Sequence, residues 1–460
     1  MEDDDQQSTY AVDRRVELSQ EWEGLIGEVR ELGRARGIPE LTDFLRPPRA
    51  ASLTAAGREG AVVAVNISRL RCDALLITET GVRGLPLPGV TAGGVEDRTV
   101  AYLVALRTLE RAAWELQAAR APFEQGDRSP EVFFRISDAR AALALARRLA
   151  EDELGTLTAW LWDEICGPVL DALGHTEAPA DGTPPPRVWW CPTGLLNLLP
   201  LHAAGHHGEP SDATPRTVLD RVVSSYTPTV RALLTARSRA RSGTAADGTG
   251  RMLFVAPEPV GMPPLESLAA DREALVGRFG ERLTRLEGAD ATADAVLAAL
   301  HRHPWVHFSS HAGQDLDDPG LGSIALREDG LTVHDLAERS YSGEFAFLSA
   351  CQTAVGGIDL ANETITLSAA LHIAGFRHVI GTLWSVYDRA AADVTRDFYG
   401  DGAAPGSATP GSTTSGGGPS TVPDFEPADA ARHLHRAVRA LRDRDRTRLT
   451  TWVPFVHIGP

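Results

Sequence analysis

The strongest constraint on how this chain folds is a rhythm in its second half. Short apolar runs alternate there with helix-length amphipathic stretches. The runs are RVWWCP (187–192), RMLFVAP (251–257), WVHFSS (305–310), FAFLSA (345–350), RHVIGTLWSV (377–386) and, last, WVPFVHI (452–458). The stretches near 264–278, 291–302, 363–375, 388–399 and 428–443 have helical spacing. Runs of this length, apolar throughout rather than at every second residue, suit strands covered on both faces. Strands that take turns with helices predict an α/β fold: a mainly parallel sheet flanked by helices. In such sheets, sites lie beyond the carboxyl ends of the strands.

The first 149 residues read differently. Residues 15–45 look helical, and AVVAVNIS (61–68) and DALLITE (73–79) have strand length and predict a small β pair. Residues 100–120 and 139–165 carry long helical patterns. No motif in this part bears chemistry. The expected organisation is an α-rich N-terminal region with a short β pair over 1–149 and an α/β domain over 150–460. APADGTPPP (178–186) is a loop by composition. Residues 402–423, nearly all Gly, Ser, Thr, Pro and Ala, read as a disordered insertion, with a cleavable or regulatory segment as the alternative. No helical-repeat period is visible.

Charge and composition exclude several functions. The formal net charge of −17 gives no electrostatic reason to bind nucleic acid or an anionic membrane. No apolar run approaches the roughly 18 residues of a membrane span. The acidic start MEDDDQQSTY is unlike a signal peptide, so a cytoplasmic protein is expected. All 45 basic residues are arginine. Without lysine there is no P-loop lysine, no kinase strand lysine and no Schiff base with pyridoxal phosphate. The four cysteines, Cys72, Cys166, Cys191 and Cys351, are far apart and lack metal-finger spacing, so free thiols are expected.

One of them stands out. In EFAFLSACQTAVGG (344–357) a buried strand delivers Cys351 into a small, polar, glycine-bearing turn. Either Cys351 is a packed thiol near a strand end, or the strand holds a nucleophile. A cysteine nucleophile needs a base or ion-pair partner, and backbone N–H groups to hold an oxyanion. WVHFSSHAGQD supplies a second strand that ends at His311, followed by Ala312 and Gly313. The two strands are expected to be neighbours, with the histidine 40 positions upstream of the cysteine.

Here the sequence resembles the CHAT family of caspase-like and separase-like cysteine peptidases. The resemblance rests on PTGLLNLLPLHAAG (192–205), SSYTPTVRAL (224–233), ATADAVLAAL (291–300), VHFSSHAG (306–313), FLSACQT (347–353), AGFRHVIGTLWSVYDRAAADVTRDFY (374–399) and WVPFVHIGP (452–460), in the family's order. It covers roughly residues 150–460. It implies a caspase-like sheet with His311 as base or ion-pair partner and Cys351 as nucleophile. It further implies an oxyanion hole from the backbone of Ala312, Gly313 and Cys351, and no cofactor. GTLWSVYD is similar to the separase segment in which an aspartate receives a basic P1 side chain, which here is Asp388. Asp315, Asp317 and Asp359 compete for that role. The expected activity is a cysteine endopeptidase cleaving proteins, latent until activated by its N-terminal region or by a separate protein. The resemblance also suggests a bacterial stress or antiphage setting. The alternative is a catalytically silent scaffold of the same fold that binds a partner. Ala312 departs from the family's glycine at that point, and is tolerated where the backbone angle suits a side chain. Among the other histidines, His301, His303, His307 and His311 form a conceivable metal set, a less favoured reading than the dyad. His202, His334 and His372 read as structural or surface residues, and Glu363 as a helix-start residue.

Overall fold

The computed structural model of the chain describes residues 2–42, 44–46, 53–180, 182–208, 215–238, 250–262, 265, 267–313, 318–327, 330–350, 353–354, 366–386, 388–400 and 425–460. It contains two compact units, Met1–Leu53 and Thr54–Pro460. In the first, helix Glu2–Arg36 is followed by the short helix Pro39–Thr42. The Arg30 guanidinium donates to the Phe44 carbonyl at 2.8 Å. Gly33 lets the two segments approach, since a Cβ there would sit 2.4 Å from the Thr42 nitrogen.

Fourteen strands are present among the described residues of the second unit. In chain order they are β1 (Ala61–Asn66), β2 (Asp73–Thr78), β3 (Gly81–Pro86), β4 (Arg187–Pro192), β5 (Val223–Tyr226), β6 (Met252–Pro257) and β7 (Leu283–Gly288). There follow β8 (Trp305–Ser309), β9 (Ala312–Gly313), β10 (Ser323–Ala325), β11 (Gly330–Thr332), β12 (Phe345–Ser349), β13 (His378–Thr382) and β14 (Phe455–Ile458). Eleven form one sheet in the order β3-β2-β1-β4-β5-β14-β13-β12-β8-β6-β7. The antiparallel pairs are β1–β2, β2–β3 and β13–β14; the other neighbours run parallel. This is the mainly parallel, helix-flanked α/β sheet that the alternation predicts. The remaining three strands form a small antiparallel sheet in the order β11-β10-β9.

Period-two geometry divides each central strand between two cores. In β12, Phe345 and Phe347 enter one apolar cluster while Ala346 and Leu348 enter the other. In β6, Met252, Phe254 and Ala256 face the first cluster, and Leu253 and Val255 the second. Helices Leu268–Phe279, Asp388–Tyr399 and Ala430–Arg444 contribute to the first cluster; Ala293–Leu300 and Leu367–Ala374 cover the other side.

The predicted β pair is a three-stranded hairpin array that joins the main sheet through the parallel β1–β4 pair. β3, with a largely exposed pattern, lacks the apolar run that would announce it. Long helices Ala92–Glu124 and Pro130–Leu161 follow, packed together through Leu109, Ala112, Ala146 and Ala150. Thr91 caps the first by accepting from Gly94 N–H, and Pro130 opens the second. Residues 402–423 lie outside the described residues.

Candidate active site

β12 lies between β8 and β13, and all three run parallel. Their carboxyl ends therefore emerge from the same edge. Register is in step: Ser309 at the end of β8 is paired with Ser349 at the end of β12. His311 follows Ser309 by two residues, and Cys351 follows Ser349 by two. Cys351 lies outside the described residues, as does Gln352, but the chain on either side of it is fixed. The Thr382 hydroxyl at the end of β13 donates to the Ala350 carbonyl at 2.7 Å. The Thr382 N–H donates to the Thr353 hydroxyl at 3.0 Å, and the Thr382 carbonyl accepts from Ala354 N–H at 2.9 Å. One threonine thus holds both flanks of the turn. Gly381 beside it makes room, since a Cβ there would come within 2.2 Å of the Ser368 hydroxyl.

His311 is half-buried and leads directly into β9. Its carbonyl accepts from Ala325 N–H at 2.8 Å, and the neighbouring Ser310 hydroxyl donates to the Ala325 carbonyl at 2.5 Å. Ala312 and Gly313 pair with Ile324 and Ser323 of β10. β9 is an edge strand of its sheet, with a described partner on one side only, and an edge strand presents backbone groups outward on its other side. Leu45 is the one described non-glycine residue with a left-handed φ, so Ala312 has an ordinary extended backbone and its methyl group is accommodated. Space around Gly313 is open.

Asp388 is the first residue of helix Asp388–Tyr399, at the edge where β13 ends; its side chain is outside the described set. Asp315, Asp317, Asp359 and Glu363 also lie outside the described residues. The segment from β13 to Asp388 is tied to the long helices. Ser385 donates to Glu110 at 2.6 Å, Trp384 packs edge-on against Tyr102, and its Nε1 donates to the Thr450 carbonyl at 3.0 Å.

The other three cysteines are buried free thiols. Burial pushes Cys166 up and Cys191 up to about 11, with a smaller opposing effect from the Val230 backbone on the latter. Neither has the thiolate character of a nucleophile. The histidines have structural partners. His202 Nδ1 meets the Tyr226 hydroxyl at 2.9 Å and Nε2 the Val453 carbonyl at 2.8 Å. His303 spans the Ala299 carbonyl and the Thr284 hydroxyl, each at 2.9 Å. His372 sits on the Phe376 carbonyl and His301 stacks near Tyr341. His334, exposed on helix Val333–Ala337, lies 3.1 Å from Glu338 at the end of that helix. His307 is buried mid-strand against Phe347 and reaches the Tyr399 hydroxyl at 3.1 Å.

Three residues of this region escape a reading of the sequence for reactive groups: Asp271, Ser309 and Ser349. The Ser309 hydroxyl donates to Asp271 Oδ2 at 2.7 Å and the Ser349 hydroxyl approaches the same oxygen at 3.4 Å. A signal for the serines was present, since FSSH and LSAC both place a serine two positions before the candidate residue. Asp271, 38 positions before Ser309, carries no such mark.

The profile of the CHAT domain family matches residues 155–460. No curated protein sequence matches the chain. Among solved structures, two crystal structures of the Saccharomyces cerevisiae separase–securin complex are similar. One superposes with a TM-score of 0.48 at 9% identity, the other with 0.47 at 10%. In both, the match covers 89% of this chain and 30% of the other.

Proposed function

The chain belongs to the CHAT domain family, and from that premise we propose that it is a cysteine endopeptidase in which His311 and Cys351 act as a dyad. The observation that carries this is the register of β8 and β12. Two adjacent parallel strands end level with each other, and each continues two residues further to one member of the pair. Thr382 holds the cysteine turn on both sides, which favours a preformed site over one that assembles around substrate.

The Cys351 thiolate attacks the scissile carbonyl carbon, and the carbonyl electron pair moves onto oxygen. Backbone N–H groups from Ala312, Gly313 and Cys351 stabilise that oxyanion. The imidazolium of His311 protonates the leaving amine as the C–N bond breaks, leaving a thioester on Cys351. Water, deprotonated by His311, then attacks the thioester and releases the acid and the thiol. None of these steps requires a metal or organic cofactor. Asp388 receives an arginine or lysine P1 side chain through charge-assisted hydrogen bonds.

The enzyme is latent in isolation and acts on a protein substrate in the cytoplasm, in a bacterial stress or antiphage response, once the N-terminal region or a separate protein releases it. The Ser385–Glu110 and Trp384–Tyr102 contacts favour the N-terminal helices as the controlling element, because they bear on the segment that leads to Asp388. Among the described residues, no helix is long and apolar enough to cross a membrane.

The test is cleavage of a mixed peptide library by the wild type, Cys351→Ala and Asp388→Ala. The wild type alone is expected to be silent; with lysate from its own source added as activator, the expected result is cutting after Arg or Lys by the wild type, none by Cys351→Ala, and loss of the basic preference alone in Asp388→Ala. Should the wild type stay silent even after addition of lysate from its own source, the fold serves as a binding scaffold instead.

A further inference from the structure

Beneath the edge that carries the candidate dyad lies a buried polar group that the proposed chemistry does not use. Asp271 sits in the first turn of helix Leu268–Phe279 and has no exposed surface. It projects onto β8 and β12 from the face lined by Phe254, Phe345 and Phe347. Around it are the hydroxyls of Ser309 and Ser349, the His307 ring with Nε2 at 3.9 Å, Thr395, and Tyr399, which bonds to the far side of that ring. Among the described residues Asp271 Oδ1 has no hydrogen-bond partner, and neither has His307 Nε2.

A fully buried carboxylate with an unpartnered oxygen is costly, and a leucine of similar volume would pack there more cheaply. Burial, the largest influence, pushes the Asp271 carboxyl up. His307, Ser309 and Thr395 together outweigh it and hold the group below the usual carboxylate range. The carboxylate is therefore charged at neutral pH, and both serine hydroxyls donate to it. What that arrangement accomplishes is visible in the register. Ser309 and Ser349 are cross-strand partners, the last residues of their strands, and both converge on a single oxygen.

We infer that Asp271 is a positioning residue for the dyad: it ties the carboxyl ends of β8 and β12 together through Ser309 and Ser349 and so sets the spacing of His311 and Cys351. This rests on the reading of those two residues as a dyad. The serines act as the two arms of the clamp, and each lies two residues from the group it places. Loosening the clamp separates imidazole from thiol, weakens the ion pair and raises the pH at which Cys351 becomes a thiolate. An asparagine at 271 keeps the volume. It loses the charge that holds two hydroxyls on one oxygen and brings an amide N–H₂ that needs acceptors of its own.

The test needs no substrate and no activator. The full-length protein is alkylated with iodoacetamide from pH 5 to 9, and the rate at Cys351 is read by peptide mass spectrometry. Wild type is compared with Asp271→Asn, Ser309→Ala, Ser349→Ala and, as a partly buried carboxylate elsewhere, Asp220→Asn. We expect the wild-type profile to turn over well below the roughly 8.5 of an ordinary thiol. In Asp271→Asn it moves upward, with a rate at pH 6 lower by roughly tenfold, while Asp220→Asn leaves it in place. Each serine variant moves it part of the way. Should Asp271→Asn fail to fold, the serine variants carry the test. An unchanged profile in Asp271→Asn, or in both serine variants, overturns the inference. A wild-type profile like that of an ordinary thiol overturns the dyad itself, which is a separate result.

Discussion

Two aspartates in this molecule, Asp271 fully buried and Asp220 partly buried, are partnered in opposite ways. Asp220, beside β5, accepts two hydrogen bonds from Arg442 at 2.8 and 2.9 Å, one from the Thr217 hydroxyl at 2.6 Å, and has Arg439 3.6 Å away. Arg442 is 2% exposed, so the pair is withdrawn from water. Among the described residues Asp271, beside β8 and β12, has no arginine partner: two hydroxyls share one of its oxygens and the other is unpartnered. A bidentate arginine completes the first carboxylate and joins the C-terminal helix to the turn before β5. The second is left incomplete beneath the strand ends that carry His311 and Cys351. Departures from full polar satisfaction concentrate where structure serves something besides stability. Asp220 thus ties elements of the fold together, whereas Asp271, under the proposal above, serves the candidate site.

The comparison breaks most easily at Arg442. Arg442→Ala removes one partner of a buried pair and strands Asp220, which should cost about 3–5 kcal/mol in chemical denaturation. The Cys351 alkylation profile of the folded fraction should not change. A cost near zero would show that Asp220 is no better satisfied than Asp271.

Thr382→Val sharpens the contrast at the site. It deletes the hydroxyl bonded to the Ala350 carbonyl at nearly constant volume, and should cost about 1–2 kcal/mol. Cys351 should also become more accessible to alkylating agents, whereas a stability loss with no change at Cys351 would show that the Thr382 bonds serve the fold and not the site.

Acid offers a third way to separate the contributions. Burial pushes His202 down to about 4, against a smaller opposing effect of the Val453 carbonyl, and pushes His435 down to about 3. Both are neutral in the folded state, while the unfolded chain takes up protons near 6.5. Stability should therefore fall as pH drops from about 6.5 to about 4, by at most ~1.4 kcal/mol per pH unit for each histidine. The Asp220 pair behaves differently. Its burial raises the carboxyl, Arg442 more than offsets that, and the folded value lies below the usual range. Its contribution is intact above about pH 4 and is lost only as pH falls further. His435 has an unpartnered Nε2, so His435→Phe should flatten the upper part of this slope. Denaturation midpoints at pH 7, 5.5 and 4.5 decide it, and an equally steep slope in the variant would contradict the assignment.

The smallest effect is expected at Glu110. Glu110→Gln weakens the bond from Ser385 on the segment leading to Asp388, and should change stability by less than about 1 kcal/mol. If the N-terminal helices restrain that segment, the same change raises basal peptide cleavage.

The sequence made the sheet legible because β4, β6, β8, β12 and β13 are buried on both faces and so read as unbroken apolar runs. β7 is a half-exposed edge strand, β5 has four residues, and β9–β11 have two or three each; none is long or apolar enough to register. The joining of β1–β3 to the main sheet was also hidden, because pairing across 127 positions leaves no local pattern. At the candidate site, the strand–turn pattern pointed to His311 and Cys351; the structure places His311 two residues beyond β8, and Cys351 lies outside the described residues. The clamp left no such pattern. Thr382 and Asp271 reach the turns through space, and a lone Asp in the first turn of a helix reads as an ordinary helix-start residue.

The measurement that bears most directly on the central claim is capture of the nucleophile. The activated full-length protein is incubated with an arginyl acyloxymethyl ketone, and the adduct is mapped on intact protein and on peptides. We expect one adduct per chain, on Cys351, with none on Cys72, Cys166 or Cys191 and none in His311→Ala. An adduct spread over the four cysteines, or one on Cys351 that forms as fast without His311, would contradict the dyad.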